Sequence, residues 1–546
     1  MKNTKRYKPQ FFAPPATSTE WAKKEYIETA PTWCSVDLRD GNQALPIPMT
    51  LNEKVEFFNL LVEIGFKEIE IGFPASNDTE FAFCRELIEK KLIPDDVTIA
   101  VLTQCRENIV RKTFDATIGA KNLIIHFYNS VSPAQREKVF GLDKDKVKQI
   151  ALDAALLIKE LSESRSNVRF EYSPESFSAA EPEYALEVCN AVADILGDCI
   201  INLPATVENS LPHIFANQVE FMKNGLCDNS HKRNIILSIH PHNDRGTGVA
   251  TAEYGILAGA NRVEGTLFGN GERTGNVDIV TLALNMYSQG VNPMLDFSNL
   301  PHICEVYERL TGMHINPRQP YSGELVFTAF SGSHQDAISK TLHKDTETWN
   351  VPYLPIDPKD IGREYETDII RINSQSGKGG VGYILSTCYG LELPKQMAFD
   401  FSGIIKSISA YEHKELSKEE IYNEFENRYV NIETALTLKS VHYKQNDDGS
   451  IDAIVDMIYN NRAHYITCSG NGRLDAVSEA VRKITGINFD ILTYSEHALT
   501  VSSKSKAISY VGITFDGNTF WGAGIHSDII TSSNTALISA VNTAVA

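Results

Sequence analysis

"IILSIHPHND" (residues 235–244) opens as an apolar, β-branched run and closes on two imidazoles and an Asn-Asp pair. A short apolar run of this kind, followed by a helical stretch, reads as a buried strand of a parallel sheet. Seven other runs repeat the form: "TWCSVDLRDG" (32–41), "EIEIGFPA" (68–75), "VTIAVLTQ" (97–104), "KNLIIHFY" (121–128), "NVRFEYSPE" (167–175), "CIINLPATV" (199–207) and "RVEGTLFGNG" (262–271). The stretches between them carry helical periodicity. "LNEKVEFFNLLVEIGF" spaces Leu51, Val55, Phe58 and Leu61 at close to one turn, and "EPEYALEVCNAVADILG" behaves likewise. Eight alternating units predict an α/β fold, a closed (β/α)8 TIM barrel. An open doubly wound sheet would carry a Gly-rich GxGxxG after its first strand, and here that strand ends in "LRDGNQ".

Barrel chemistry sits at the C-terminal ends of the strands. Those ends carry Arg39 and Asp40, His126, Glu175, Thr206, His240 and His242, then Asn270 and Glu272. In a strand, residues two apart face the same side, so His240 and His242 point together. Both imidazoles can reach one ion, Asp40 supplies a carboxylate, and the eighth loop can supply an amide oxygen. Nitrogen and oxygen ligands without thiolate suit Mg, Mn, Zn or Co. A lone His-x-His is otherwise an ordinary feature of strand ends; the convergence of polar groups on one rim gives it weight.

Composition narrows the partners. A net charge of −19 over 546 residues excludes a general nucleic-acid binder. There is no uninterrupted apolar stretch of membrane-spanning length, and "MKNTKRYKPQFFAPPATSTEW" has basic residues but no apolar core to follow them. The expectation is a cytoplasmic protein without membrane association. Nine cysteines stand singly, with no CxxC spacing, and read as reduced thiols.

Beyond the barrel the pattern changes. The expected organisation is an N-terminal extension (1–30), the catalytic barrel (31–305), a first mixed linker subdomain (306–370), a second (371–430) and a C-terminal domain (431–546). That last domain reads as α+β, two β-β-β-α modules in tandem, with Asn446 to Gly449 as a turn and a closing helix from about Asp528. "SQSGKGG" lacks the first Gly and the Ser/Thr of a P-loop and reads as a linker turn.

"DLRDGNQ" (37–43), "HPHNDRGTG" (240–248) and "GNGERTGN" (269–276) resemble the DRE-TIM metallolyase superfamily. "FEYSPESF", "NLPATVE", "FTAFSGSHQDAI", "VPYLPIDP" and "NSQSGKGG" resemble, within it, the 2-isopropylmalate synthase family in its long form. The resemblance implies a divalent metal (Mg, Mn or Zn) on Asp40, His240, His242 and Asn276. It implies Arg39 at the keto oxygen, His126 and Thr206 on the 2-oxo acid, and Glu175 near the acetyl group of the co-substrate acetyl-CoA. It makes His334 the base and brings Tyr353 to the site, both from a subdomain that reaches into a partner subunit, hence a homodimer. The implied reaction joins acetyl-CoA to 2-oxoisovalerate in leucine biosynthesis. The nearest alternatives, citramalate and homocitrate synthases, use other 2-oxo acids; a second carboxylate would need a further Arg or Lys, and none stands at a strand end.

The resemblance also implies a leucine effector on the C-terminal domain. Glu496, His497, Ala498 and the "GAGI" turn (522–525) follow the family. At Ser503-Lys504-Ser505-Lys506-Ala507 lysines replace the family's acidic residues, reversing the charge beside a ligand whose ammonium needs neutralising, which weighs against unaltered leucine sensitivity.

Overall fold

The computed structural model describes residues 11–13, 19–165, 167–226, 233–329, 331–342, 348–365, 378–412, 416–499 and 505–545. Ser503, Lys504 and residues 373–377 of "NSQSGKGG" lie outside the described residues. The chain divides into two compact units, residues 1–326 with 356–364, and residues 327–355 with 365–546. The stretch 306–370 is thus shared between them.

In the first unit all eight apolar runs carry strands: β1 (Thr32–Ser35), β2 (Glu68–Gly72), β3 (Thr98–Gln104), β4 (Leu123–Ser130), β5 (Val168–Glu175), β6 (Cys199–Ala205), β7 (Ile235–Pro241) and β8 (Arg262–Gly265). They pair in sequence order and close into a barrel, β1 parallel to β8. Helices α1 (Leu51–Ile64), α2 (Asp78–Glu89), α3 (Glu107–Ala116), α4 (Lys144–Ser162), α5 (Pro182–Leu196), α6 (Pro212–Leu226), α7 (Gly248–Leu257) and α8 (Ile279–Ser288) alternate with them, and α9 (Leu300–Thr311) follows.

Local chemistry sets these elements. A capping box between Thr50 and Glu53 starts α1, and Gly65, at φ 107°, ends it. Its buried face is Lys54, Phe57, Phe58, Leu60, Leu61 and Ile64, while Leu51 and Val55 sit half-buried on its flank. Lys54 tolerates burial because its ammonium meets the Glu80 carboxylate of α2.

The interior of the barrel follows from alternation. Glu70 pairs with Ala100, Leu102 with His126, His126 with Glu171, Ser238 with Arg262 and Cys34 with Glu264. Residues in register across parallel strands share a face, so these side chains project inward together. At the centre the Arg262 guanidinium, fully buried, meets Glu68 at 2.6 Å, Glu171 at 2.9 and 3.1 Å, Glu264 at 2.9 Å and Ser238 at 2.8 Å. Desolvating these ions costs several kcal/mol each, and near-ideal hydrogen bonds offset it.

The second unit begins with α10 (Gly332–Thr341), α11 (Lys378–Tyr389), α12 (Lys395–Glu412) and α13 (Lys418–Tyr429). Then come β9 (Leu436–Gln445), β10 (Ile451–Tyr459), β11 (Arg462–Gly470) and α14 (Arg473–Thr485), and β12 (Asp490–Ala498), β13 (Ala507–Phe515), β14 (Asn518–His526) and α15 (Ile529–Val545). The two β-β-β-α modules form antiparallel three-stranded sheets, β11-β10-β9 and β12-β13-β14. One core joins them, with Val455, Val477, Val511, Ile513, Leu537 and Val541 buried. Alternate residues of β13 turn the other way, Ile508 and Tyr510 joining Phe401 and Phe425 of α12 and α13. "GAGI" (522–525) is not a turn but the middle of β14. A Cβ on Gly522 would meet the Ala540 nitrogen at 2.2 Å, and one on Gly524 the Ser532 carbonyl at 2.1 Å. These glycines let α15 lie directly on the sheet.

Candidate active site

The mouth of the barrel holds a cavity of about 250 Å3 lined by Arg39, Asp40, Gln43, Leu102, His126, Tyr128, Ser173, Glu175, Asn202, Pro204, Thr206, His240, His242, Glu272 and Arg273. All come from the first unit, from the inward positions of the strands and the loops after them.

Asp40 lies on a π-helical turn, Asp37–Gly41, directly after β1. Its Oδ2 is 3.6 Å from His240 Nε2 and 3.8 Å from His242 Nε2. The opposite ring nitrogens are occupied, His240 Nδ1 lying 2.8 Å from Glu264 Oε2 and His242 Nδ1 3.2 Å from the Gly275 carbonyl. Asn276 is bridged to His242, and its amide N–H donates to the Asn270 carbonyl at 2.9 Å. Among the described residues, Asp40 Oδ2 and Asn276 Oδ1 are buried oxygens without a hydrogen-bond partner. An orphaned carboxylate oxygen facing two Nε2 atoms, with an orphaned amide oxygen on the residue bridged to His242, fits a divalent cation.

A second cluster, His126, Glu171 and Glu264, lies deeper. Its atoms are committed elsewhere: His126 Nδ1 is 2.6 Å from Glu70 and Nε2 2.7 Å from Ser173, Glu171 is held by Arg262, and Glu264 by Arg262, Asn202 and His240. It is a hydrogen-bonded node with no oxygen left over for a cation.

Electrostatics separates the groups. Burial opposes charge on Asp40, but Arg39, His240 and His242 hold its carboxyl far below the usual range. Burial likewise opposes the charged form of His240, yet the Asp40 and Glu264 carboxylates push it up to about 9. Burial and the neighbouring His240 push His242 down to about 4. Burial, then the Glu272 carboxylate, push Glu175 up, favouring its protonated form. Arg39 is clamped by Glu70 at 2.5 Å and Asp40 at 3.1 Å, and these carboxylates raise its pKa against burial.

Residues 30–306 match the family profile described as HMGL-like, residues 324–386 that of the alpha-isopropylmalate synthase post-catalytic domain, and residues 415–545 that of the LeuA allosteric (dimerisation) domain. The 2-isopropylmalate synthase of Helicobacter hepaticus is 55% identical over 98% of this chain and 99% of its own. Those of Desulfitobacterium hafniense and Acetoanaerobium sticklandii are 54% and 50% identical, over 100% and 96% of this chain and 99% and 94% of theirs. The chain belongs to the 2-isopropylmalate synthase family.

Eight of the ten candidate residues gather in one unit. Arg39, Asp40, His126, Glu175, Thr206, His240 and His242 line the cavity, and Asn276 lies beside His242. The amides of Asn270 and Asn276 both donate to a backbone carbonyl, at 3.1 and 2.9 Å, and of the two residues Asn276 is the one whose Oδ1 is buried without a partner. His126 is not at a strand end: β4 continues to Ser130, paired with Glu175, which leaves the imidazole midway along β4. Thr206 Oγ1 accepts the Ser176 N–H at 2.9 Å, fixing the turn after β5 where Ser176 has φ 61°. His334 and Tyr353 belong to the second unit, where their rings stack at 3.9 Å.

Sequence reading missed Glu70, Ser173, Asn202 and Glu264. The signal was charge at positions two apart in apolar strands, Glu68 and Glu70 in "EIEIG" and Arg262 and Glu264 in "RVEG". Arg273 was missed too. It is a second arginine at the mouth, but Asp244 holds it at 2.7 and 3.2 Å and the Thr206 carbonyl also accepts from it.

Proposed function

We propose that the chain condenses the acetyl group of acetyl-CoA with 2-oxoisovalerate and, with water, releases 2-isopropylmalate and CoA, in the leucine-forming branch of cytoplasmic metabolism. The observation that carries this is the orphaned Asp40 Oδ2 facing two imidazole Nε2 atoms in a cavity shared with Arg39, with a second orphaned oxygen, Asn276 Oδ1, on the residue bridged to His242. Asp40, His240, His242 and Asn276 would hold a divalent ion, Mg, Mn or Zn, which when bound supplies Lewis-acid polarisation of the substrate carbonyl.

The protein's own groups do the rest. Arg39, immobilised by Glu70 and Asp40, presents one of its remaining N–H groups to the keto oxygen and stabilises the alkoxide that forms there. The Thr206 hydroxyl, accepting from Ser176, keeps its own proton to donate to the 2-oxo acid, and His126 supports the same substrate from between Glu70 and Ser173. Glu175 stands near the acetyl group, its carboxyl pushed above the usual carboxylate range by burial and then by Glu272. The His334 imidazole takes a proton from the acetyl methyl, with Tyr353 stacked on it, and the carbanion attacks the keto carbon. Water then cleaves the thioester, which makes the condensation irreversible. His334 is delivered from a partner copy, so the working form is a homodimer. Lys506, with Lys504, weakens leucine inhibition through the C-terminal domain.

The test is CoA-thiol release by metal-stripped protein resupplied with Mg, Mn or Zn, against 2-oxoisovalerate, pyruvate, 2-oxobutyrate and 2-oxoglutarate, with and without leucine. Strongest metal-dependent release is expected with 2-oxoisovalerate. Release only with another oxo acid would keep the site and overturn the substrate.

A further inference from the structure

His240 and His242 share an ion-facing edge but are backed differently. Behind His242 Nδ1 is a neutral backbone carbonyl at 3.2 Å; behind His240 Nδ1 is the Glu264 carboxylate at 2.8 Å. Glu264 is fully buried on β8, in register with His240 once the Ser238–Arg262 and Ile239–Val263 pairs of β7 and β8 are continued by one residue. Its Oε1 accepts from Arg262 at 2.9 Å, and its Oε2 also accepts from Asn202 at 3.0 Å. Three neighbours therefore leave this carboxylate one orientation, and that orientation aims Oε2 at the imidazole.

We infer that Glu264 is a positioning residue that fixes the His240 ring so that Nε2, not Nδ1, faces Asp40. This rests on the metal reading above. A carboxylate accepting Nδ1–H locks tautomer and ring angle and raises the basicity of Nε2, whereas a carbonyl does so more weakly. The two imidazoles are thus unequal ligands, His240 the anchor and His242 the weaker partner. A purely structural role, neutralising Arg262, would be shared by Glu171, which binds the same guanidinium at 2.9 and 3.1 Å but bonds to neither ion-facing histidine.

The experiment is a titration of metal-stripped full-length protein with Mn2+, free ion being counted by its paramagnetic resonance, with no substrate present. Glu264→Gln keeps an acceptor and loses the charge, and the Mn2+ Kd rises about tenfold; Glu264→Leu raises it about a hundredfold. Glu171→Gln stays within twofold. Should Glu264→Leu fail to fold in a melting curve, the two glutamine variants still decide. Equal weakening by both glutamine variants, or no weakening by Glu264→Gln, overturns the inference while leaving the metal site standing. Failure of the parent to bind Mn2+ sinks the metal reading and this one with it.

Discussion

Asp37 and Asp40 lie three residues apart on one π-helical turn and are driven in opposite directions. Asp40 faces Arg39 and two imidazoles and stays ionised, while burial pushes Asp37 up to about 7, against hydrogen bonds from Ser35 and Leu267. Between its ordinary value of 3.8 and about 7 the folded chain therefore keeps a proton that the unfolded chain releases. Stability from this group is complete at low pH and is lost as pH rises through 7. Asp37→Asn removes that loss, so its melting temperature should gain on the parent by roughly 5 °C between pH 5 and pH 8; a pH-independent difference would contradict this. Arg262 makes the complementary case. Replacing it with leucine leaves Glu171 and Glu264 buried without their arginine, while Glu68 keeps Arg169, and denaturant unfolding should register a loss of about 3–5 kcal/mol.

Elements differ in how tightly they close on one another. On β14 the Cβ of an alanine at 522 would intrude on the α15 backbone, so Gly522→Ala should cost about 1–3 kcal/mol in unfolding of the second unit. Gly403, exposed inside α12 with open space around it, is the opposite: Gly403→Ala should stabilise the same unit by about 0.5–1 kcal/mol, since only backbone entropy changes. Opposite signs for one substitution type in one unit separate overpacking from propensity, and a calorimetric scan of each full-length variant reads both.

For the whole molecule, the proposed ion belongs to one unit only. Binding to the native state alone stabilises by mass action, by about 2.7 kcal/mol at a hundredfold excess over Kd. In a scan of the metal-stripped protein the barrel transition should therefore climb with added Mn2+ while the transition of the second unit stays put. Movement of both together would mean that the ion is not confined to the barrel donors.

The sequence by itself determined the eight strands, the two-module C-terminal domain and the inward aim of His240 and His242, because alternation and helical period are local properties of the chain. It also carried the family motifs. It misjudged His126, because where a parallel strand ends depends on its neighbour: β4 runs on to Ser130 only because β5 pairs with it through Glu175. It read "GAGI" as a turn, because a glycine spent on a flexible bend and one spent on close helix packing look alike until the helix is in place. Residue pattern alone did not separate Asn276 from Asn270, which only the family motif did, and only the tertiary structure showed the unpartnered Asn276 Oδ1 and brought Glu264 behind His240. Which buried oxygen is left without a partner depends on donors far along the chain, as when Asn270 reaches Gly41 across 229 residues. No local pattern records such a distance, and so the inward aim of the candidate ligands was legible while the groups that hold them were not.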